Sequence, residues 1–209
     1  MRLLDLFSGA GGAACGYQRA GFYVVGVDIK SQPRYCGDEF IQADALEYVA
    51  EHGREYDVIH ASPPCQAYSE ATPMAHRGNH PDLIAPTREL LQQIGQPYVI
   101  ENVEAARALL VNPVMLCGTM FGLGVQRHRY FEIWPHVFLL TPPCKHDFVP
   151  VYVTGSTGRS GCGFPRKDAL IDAKRRAMGI DWMVTGEIDE AIPPAYTEWI
   201  GQQLLRISA

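Results

Sequence analysis

Leu3-Leu4-Asp5-Leu6-Phe7-Ser8-Gly9-Ala10-Gly11-Gly12, continued by Ala13-Ala14-Cys15-Gly16-Tyr17-Gln18-Arg19-Ala20 and by Tyr23-Val24-Val25-Gly26-Val27-Asp28, is the stretch that decides the fold. An apolar strand over Leu3–Phe7 runs into a glycine-rich turn. A helix over Ala13–Ala20, closed by Gly21-Phe22, then leads to a second strand. This is a βαβ unit, whose crossover is right-handed and whose sheet is parallel. Glycines in the first turn let backbone N–H groups and a helix N-terminus approach a ligand closely. Asp28, at the end of the second strand, is placed to accept both hydroxyls of a ribose. Gly9-x-Gly11-x-x-Ala14 with an acid about twenty residues on fits the dinucleotide fingerprint. NAD is therefore one candidate, and the same layout binds any adenosine-bearing cofactor.

The chain has 209 residues, enough for one domain with a full core and a small inserted lobe. No apolar run approaches membrane-spanning length, and the first residues lack the basic-then-apolar order of a signal peptide. Six cysteines, at 15, 36, 65, 117, 144 and 162, form no CxxC pair. They are read as reduced thiols in a cytoplasmic protein. The net charge of −5 argues against a nucleic-acid partner, but its distribution argues for one. Arg159, Arg166, Lys167, Lys174, Arg175 and Arg176 face only Asp168 and Asp172 between Arg159 and Arg176. A local basic patch is what phosphate binding needs, whatever the total charge.

Further along, Ile41–Leu46 is expected to hold a short third strand ending in Asp44. That carboxylate could receive an adenine amino group or cap the following helix. Tyr56–His60 is a fourth strand, leaving through Ala61-Ser62-Pro63-Pro64-Cys65-Gln66. Two prolines forbid ladder bonding and stiffen the backbone, so the thiol that follows has a fixed approach direction. Tyr68–Pro86 has the irregular composition of a lid or substrate loop, and Pro86–Ile94 returns to helix. Tyr98-Val99-Ile100 reads as a strand buried on both faces that delivers Glu101, where burial would raise the carboxyl pKa. A helix is expected near Ala105–Leu110. Val125–Trp134 alternates as a strand, with Arg127 and Arg129 on one face, able to grip a planar oxygen-rich group. Thr141–Gly163 reads as a loop-rich insert with one strand, Val149–Thr154. Cys144, His146 and Cys162 are unevenly spaced, and no metal site is expected of them. Lys167–Met178 is a basic helix, and a last helix opens at Pro193-Pro194.

Taken together, these residues resemble the DNA (cytosine-5) methyltransferase family. Asp5–Gly12 is similar to its first motif, Val25–Asp28 to its second, Ser62–Gln66 to its nucleophile motif, Glu101–Val103 to its glutamate motif and Gln126–Arg129 to its arginine motif. The resemblance spans roughly residues 3–133, in the family's order, with a looser echo at 173–205. It implies an α/β, Rossmann-like S-adenosylmethionine-dependent methyltransferase fold, a mostly parallel doubly wound sheet with a small target-recognition insert. The organisation expected is a catalytic and cofactor domain over 1–137, a recognition region over 138–180 and a returning C-terminal segment over 181–209. Cys65, Glu101, Arg127 and Arg129 are the implied catalytic set. Phe7, Ser8, Gly9, Ala10, Gly11, Gly12, Asp28, Ile29, Asp44, Ala45 and Pro63 are the implied S-adenosylmethionine contacts. Gln66, Ser69, Gln126 and Arg127, joined by the basic Arg166, Lys167, Lys174 and Arg175, are the expected DNA contacts. The implied reaction methylates C5 of a cytosine flipped out of double-stranded DNA, through a covalent Cys65–C6 adduct. A cognate restriction enzyme is the candidate second partner, in a bacterial or phage-infected cell, and the oligomeric state is unassigned. Glu190 stands before Ala191-Ile192-Pro193-Pro194, where the family usually has asparagine. RNA methylation, a nicotinamide-dependent oxidoreductase and a non-catalytic DNA-binding relic are the alternatives. The last two leave Cys65, Glu101 and Arg129 unexplained.

Overall fold

The computed structural model describes residues 1–65, 82–136, 139–153 and 167–207, with only the backbone given at 167–169 and 207. Seven strands form one sheet: β1 (Arg2–Leu6), β2 (Tyr23–Asp28), β3 (Glu39–Gln42), β4 (Val58–Ala61), β5 (Tyr98–Asn102), β6 (Val114–Leu116) and β7 (Arg129–Trp134). Their order is β3-β2-β1-β4-β5-β7-β6. The first five are mutually parallel, and β7 lies antiparallel between β5 and β6. The chain winds outward from β1 to β3 and then restarts at β4 on β1's other side. The β1 and β4 carboxyl ends therefore flank a topological switch point, where open α/β sheets hold their ligands.

Apolar residues on both faces of the strands explain the layers. On one face, Leu4, Leu6, Val25, Ile59 and Ile100 pack against α2 (Ala45–His52) and α3 (Ile84–Ile94). On the other, Leu3, Val24, Val58 and Val99 meet α1 (Gly12–Ala20) and α6 (Pro194–Ile207). The α1/α6 contact is close because Gly16 has no side chain: a Cβ there would sit 2.1 Å from the Pro194 carbonyl oxygen. A third apolar cluster joins Ala10 to Val125, Val153 and Ile188, and to Ala177 and Met178 of α4 (Lys167–Met178). A short helix, α5 (Thr185–Glu190), precedes α6.

Several boundaries differ from those expected. Asp44 does not end β3. It caps α2, its Oδ1 accepting from the N–H groups of Leu46 and Glu47. Glu101 lies within β5 rather than after it. The alternating stretch from Val125 is strand only from Arg129, because its earlier side chains have tertiary partners instead. Gln126 Nε2 donates to the Phe148 carbonyl, and Arg127 Nη2 donates to the Asp189 carbonyl. The strand expected at Val149–Thr154 is absent over 149–153, where no neighbouring strand pairs with it; Val153 enters the third cluster while Val149 and Tyr152 are exposed. Lys167–Met178 and the proline-opened last helix are as expected.

Candidate active site

The loops leaving β1 and β4 start side by side, with Leu6 opposite Ala61 and the Ser62 N–H donating to the Leu6 carbonyl. The β1 loop is tightly coiled. Phe7, Gly9 and Gly11 all have positive φ, at 59°, 50° and 87°. A Cβ on Gly11 would lie 2.8 Å from Cys36 Sγ, so only glycine fits there. Gly9 donates its N–H to Asp28 Oδ2, which ties the loop to the acid at the end of β2. Trp182 donates its indole N–H to the Ala10 carbonyl from above, a contact that no local motif announced.

The residues expected to bind the cofactor fall along this loop and the neighbouring strand ends. Phe7, Ser8, Gly9, Ala10, Gly11 and Gly12 form the turn. Asp28 ends β2 and Ile29 follows it, and Asp44 and Ala45 begin α2. Pro63 lies in the β4 loop. Two observations fit an adenosine-bearing ligand with a cationic end. Both carboxylate oxygens of buried Asp5 and the buried Ser8 hydroxyl lack hydrogen-bond partners. Nothing lies within 4 Å of where a Gly9 Cβ would stand. Burial, reinforced by Asp28, pushes the Asp5 carboxyl well up, which favours its neutral form until a cation or a hydrogen-bond donor pairs with it.

Cys65 follows the two prolines of the segment that leaves β4. The Asn102 side-chain amide donates to the Pro63 carbonyl, pinning the proline turn to β5. Glu101, one residue earlier, is 6% exposed. Because β7 runs antiparallel, its first residue, Arg129, arrives at the same edge, and its Nε lies 2.9 Å from Glu101 Oε1. That N–H is not aimed along the contact, so Oε1 has an ionic neighbour but no aligned hydrogen bond. Burial raises the Glu101 carboxyl against the opposing pull of Arg129 and Arg127. Burial and the Glu101 charge likewise push the Cys65 thiol up, while Arg129 pulls it down. Arg127 is itself almost fully buried, and burial with the like charge of Arg129 brings it down to about 9.

Behind Glu101 runs a buried relay that the sequence did not reveal. Tyr17 OH lies 2.9 Å from His60 Nδ1 and His60 Nε2 lies 2.9 Å from Ser62 Oγ, and hydrogen bonding by Ser62 is among the influences that lower the Glu101 carboxyl. In the ionised form of Glu101 the carboxylate only accepts, so Ser62 donates to it. Its oxygen then accepts from His60 Nε2–H, leaving Nδ1 to accept from Tyr17. Burial holds His60 neutral, its pKa lowered to about 3.

Not every expected contact belongs here. Lys174, read as a DNA contact, is 3% exposed and paired with Asp189. Arg175 turns its Nε and Nη2 onto the Met183 carbonyl. Arg127 points inward, away from any phosphate. Burying apolar positions of the basic helix, Ala173, Ala177 and Met178, rotates these side chains inward. Arg176 is left exposed. Gln66, Ser69, Arg166, Cys162 and the Lys167 side chain lie outside the described residues. A small cavity of about 90 Å³ lined by Tyr98, Glu132 and Trp134 lies at the far end of β5 and β7, away from Cys65. Its acid is already bound by Arg88.

The fold and the glycine-loop site define a Rossmann-like S-adenosylmethionine-dependent methyltransferase architecture. The solved structure of the Entamoeba histolytica methyltransferase EhMeth is similar over 99% of this chain and 97% of its own, at a TM-score of 0.57 and 14% identity. A family model for the C-5 cytosine-specific DNA methylases matches residues 1–109, and this chain belongs to that family. The type II methyltransferase M.FnuDI of Fusobacterium nucleatum is 36% identical over 77 residues, covering 34% of this chain and 22% of that one. The type II methyltransferase M1.HphI of Haemophilus parahaemolyticus is 33% identical over 82 residues, covering 32% and 22% respectively. The match thus spans about a fifth of the length of these curated relatives. Among the described residues, no helix is long and apolar enough to cross a membrane.

Proposed function

We propose that this chain methylates C5 of cytosine in double-stranded DNA, with S-adenosylmethionine held by the β1 loop, Asp28 and the start of α2. The observation that carries the reading is the convergence of Cys65, Glu101 and Arg129 from three strand ends beside that loop. When bound, the cofactor supplies an electrophilic methyl group on a sulfonium. Cytosine C5 is a poor nucleophile, and the role of Cys65 is to correct that. Its thiolate adds to C6, and the ring becomes an enamine reactive at C5. Glu101, its carboxyl kept high by burial, donates a proton or hydrogen bond to N3 and takes charge off the ring as the C–S bond forms. Among the described residues the Arg129 contacts run through Nε and Nη1, and Nη2 is the group assigned to the base O2. Loss of the C5 proton and expulsion of Cys65 restore the aromatic ring. The base must leave the duplex to reach these groups. A recognition region over 138–180, with exposed Arg176 within it, and a cognate restriction enzyme like those of type II systems complete the proposal.

Duplex DNA incubated with tritiated S-adenosylmethionine tests it, and label should appear on DNA and require Cys65. DNA carrying 5-fluorocytosine should leave a denaturation-stable protein–DNA adduct, because no base can remove fluorine from C5. No label on any DNA, or label independent of Cys65, overturns the reading. Competition with structured RNA distinguishes the two nucleic acids.

A further inference from the structure

Cys117, His128, Cys144 and His146 bring two Sγ and two Nε2 atoms together, all within 4.8 Å of one another. They come from three separate places. Cys117 follows the last residue of β6 and His128 precedes the first residue of β7, one step beyond the Leu116–Arg129 pair. Cys144 and His146 lie on the segment that leaves the sheet toward the basic helix. Neither cysteine is in a disulfide.

Hydrogen bonding does not account for the cluster. The His128 and His146 Nε2 atoms face each other at 3.3 Å, and the Cys144 Sγ to His146 Nε2 separation is 2.9 Å, short for a contact to sulfur. A tetrahedral metal accounts for three of four separations among these atoms, those at 3.3, 3.4 and 3.5 Å, while the 2.9 Å one is short for it as well. With Zn–S about 2.3 Å and Zn–N about 2.0–2.1 Å, the tetrahedron has N–N edges of about 3.4 Å and S–N edges of about 3.5 Å. Two further S–N separations are 3.4 Å for Cys117–His146 and 3.5 Å for Cys144–His128. The surroundings complete the picture. The Glu104 carboxylate lies 3.9 Å from the other His128 nitrogen, the arrangement that orients zinc-bound imidazoles. The Thr119 hydroxyl lies 3.2 Å from Cys117 Sγ and 3.7 Å from Cys144 Sγ, able to donate to either sulfur, and itself accepts from the Lys145 N–H.

We propose that these four side chains bind one structural zinc ion that staples the 139–153 segment to the rim of the sheet beside Arg129. Two thiolates and two neutral imidazoles neutralise Zn²⁺, and four protein ligands leave no open position, so the role is structural rather than chemical. The ion would fix His128, which lies between Arg127 and Arg129 in sequence, and hence the entry of β7 into the site.

The test needs no methyl transfer, so it stands apart from the function proposed above. Full-length protein purified under phosphine reductant should carry close to one zinc per chain by mass spectrometry. Replacement by cobalt should give intense tetrahedral ligand-field bands and thiolate-to-cobalt charge transfer. His146→Ala and Cys144→Ser should each lose the metal, while Cys162→Ser keeps it. Where a variant fails to fold, wild-type protein stripped of metal and refolding only with added zinc supports the same conclusion. Folded, reduced protein that takes up no zinc or cobalt overturns it. So does iron in zinc's place, or metal lost with Cys162→Ser but kept with Cys117→Ser.

Discussion

Replacing His60 by glutamine should flatten the acid side of this protein's stability profile. His60 is 0% exposed on β4, and its pKa falls from 6.5 to about 3. In the folded chain it therefore stays neutral at mildly acid pH, whereas the unfolded chain takes up a proton there. A depressed base contributes stability that is fully present above the unfolded pKa and is lost as pH falls through 6.5 toward 3. At about pH 5 the loss is about 1.5 pK units of 1.36 kcal/mol each, about 2 kcal/mol. The size is insensitive to the folded value: any pKa below about 4 leaves His60 neutral at that pH, and only the unfolded histidine matters. His60→Gln cannot titrate, and it retains a side chain able to bond Ser62 and Tyr17. Urea unfolding of both proteins at about pH 7.5 and about pH 5 gives four stabilities. Wild type should lose about 2 kcal/mol more than the variant between those conditions. Equal losses would refute a neutral buried histidine, and with it the proton order assigned along Tyr17, His60, Ser62 and Glu101.

The thiol of Cys65, raised by burial and by Glu101, should alkylate with a midpoint above that of an ordinary cysteine; rates of iodoacetamide labelling against pH check this. Arg88 holds the buried Glu132 carboxylate through Nε and Nη2, so Arg88→Leu should cost about 3–5 kcal/mol in denaturant unfolding. Lys174→Met breaks the pair with Asp189 and should lower stability by about 2 kcal/mol, while affinity for non-cognate duplex, measured by fluorescence anisotropy, stays the same.

How far the sequence foretold this molecule depends on the range over which each signal acts. The βαβ opening was readable because its glycines and Asp28 act within one local unit, and Gly9 and Asp28 do bond. The proline turn before Cys65 and the apolar run before Glu101 were readable for the same reason. Residues whose role depends on distant partners were not. Nothing near Lys174 announces Asp189, and the alternation of Val125–His128 imitates a strand although its side chains bond to Phe148 and Asp189. The cysteine and histidine cluster was missed because its members are far apart in the chain. Spacing alone paired Cys144 and His146 with Cys162, while the sheet edge brought in Cys117 and His128. His60 looked like an ordinary strand residue until α1 placed Tyr17 beside it.

The contacts around the first loop also bear on how the chain is made. Trp182 caps the Ala10 carbonyl, the Thr197 hydroxyl donates to the Ala13 carbonyl, and Pro194 crosses at Gly16, all more than 170 positions downstream of their partners. At about 5–20 residues per second, a ribosome needs about 10–40 s after making the loop before it makes these partners. During that interval the glycine loop and the outer face of β1 lack their covering helix, and closing so long a chain segment is entropically slow. The glycine loop, synthesised well before these partners, is thus among the last parts to reach its final form.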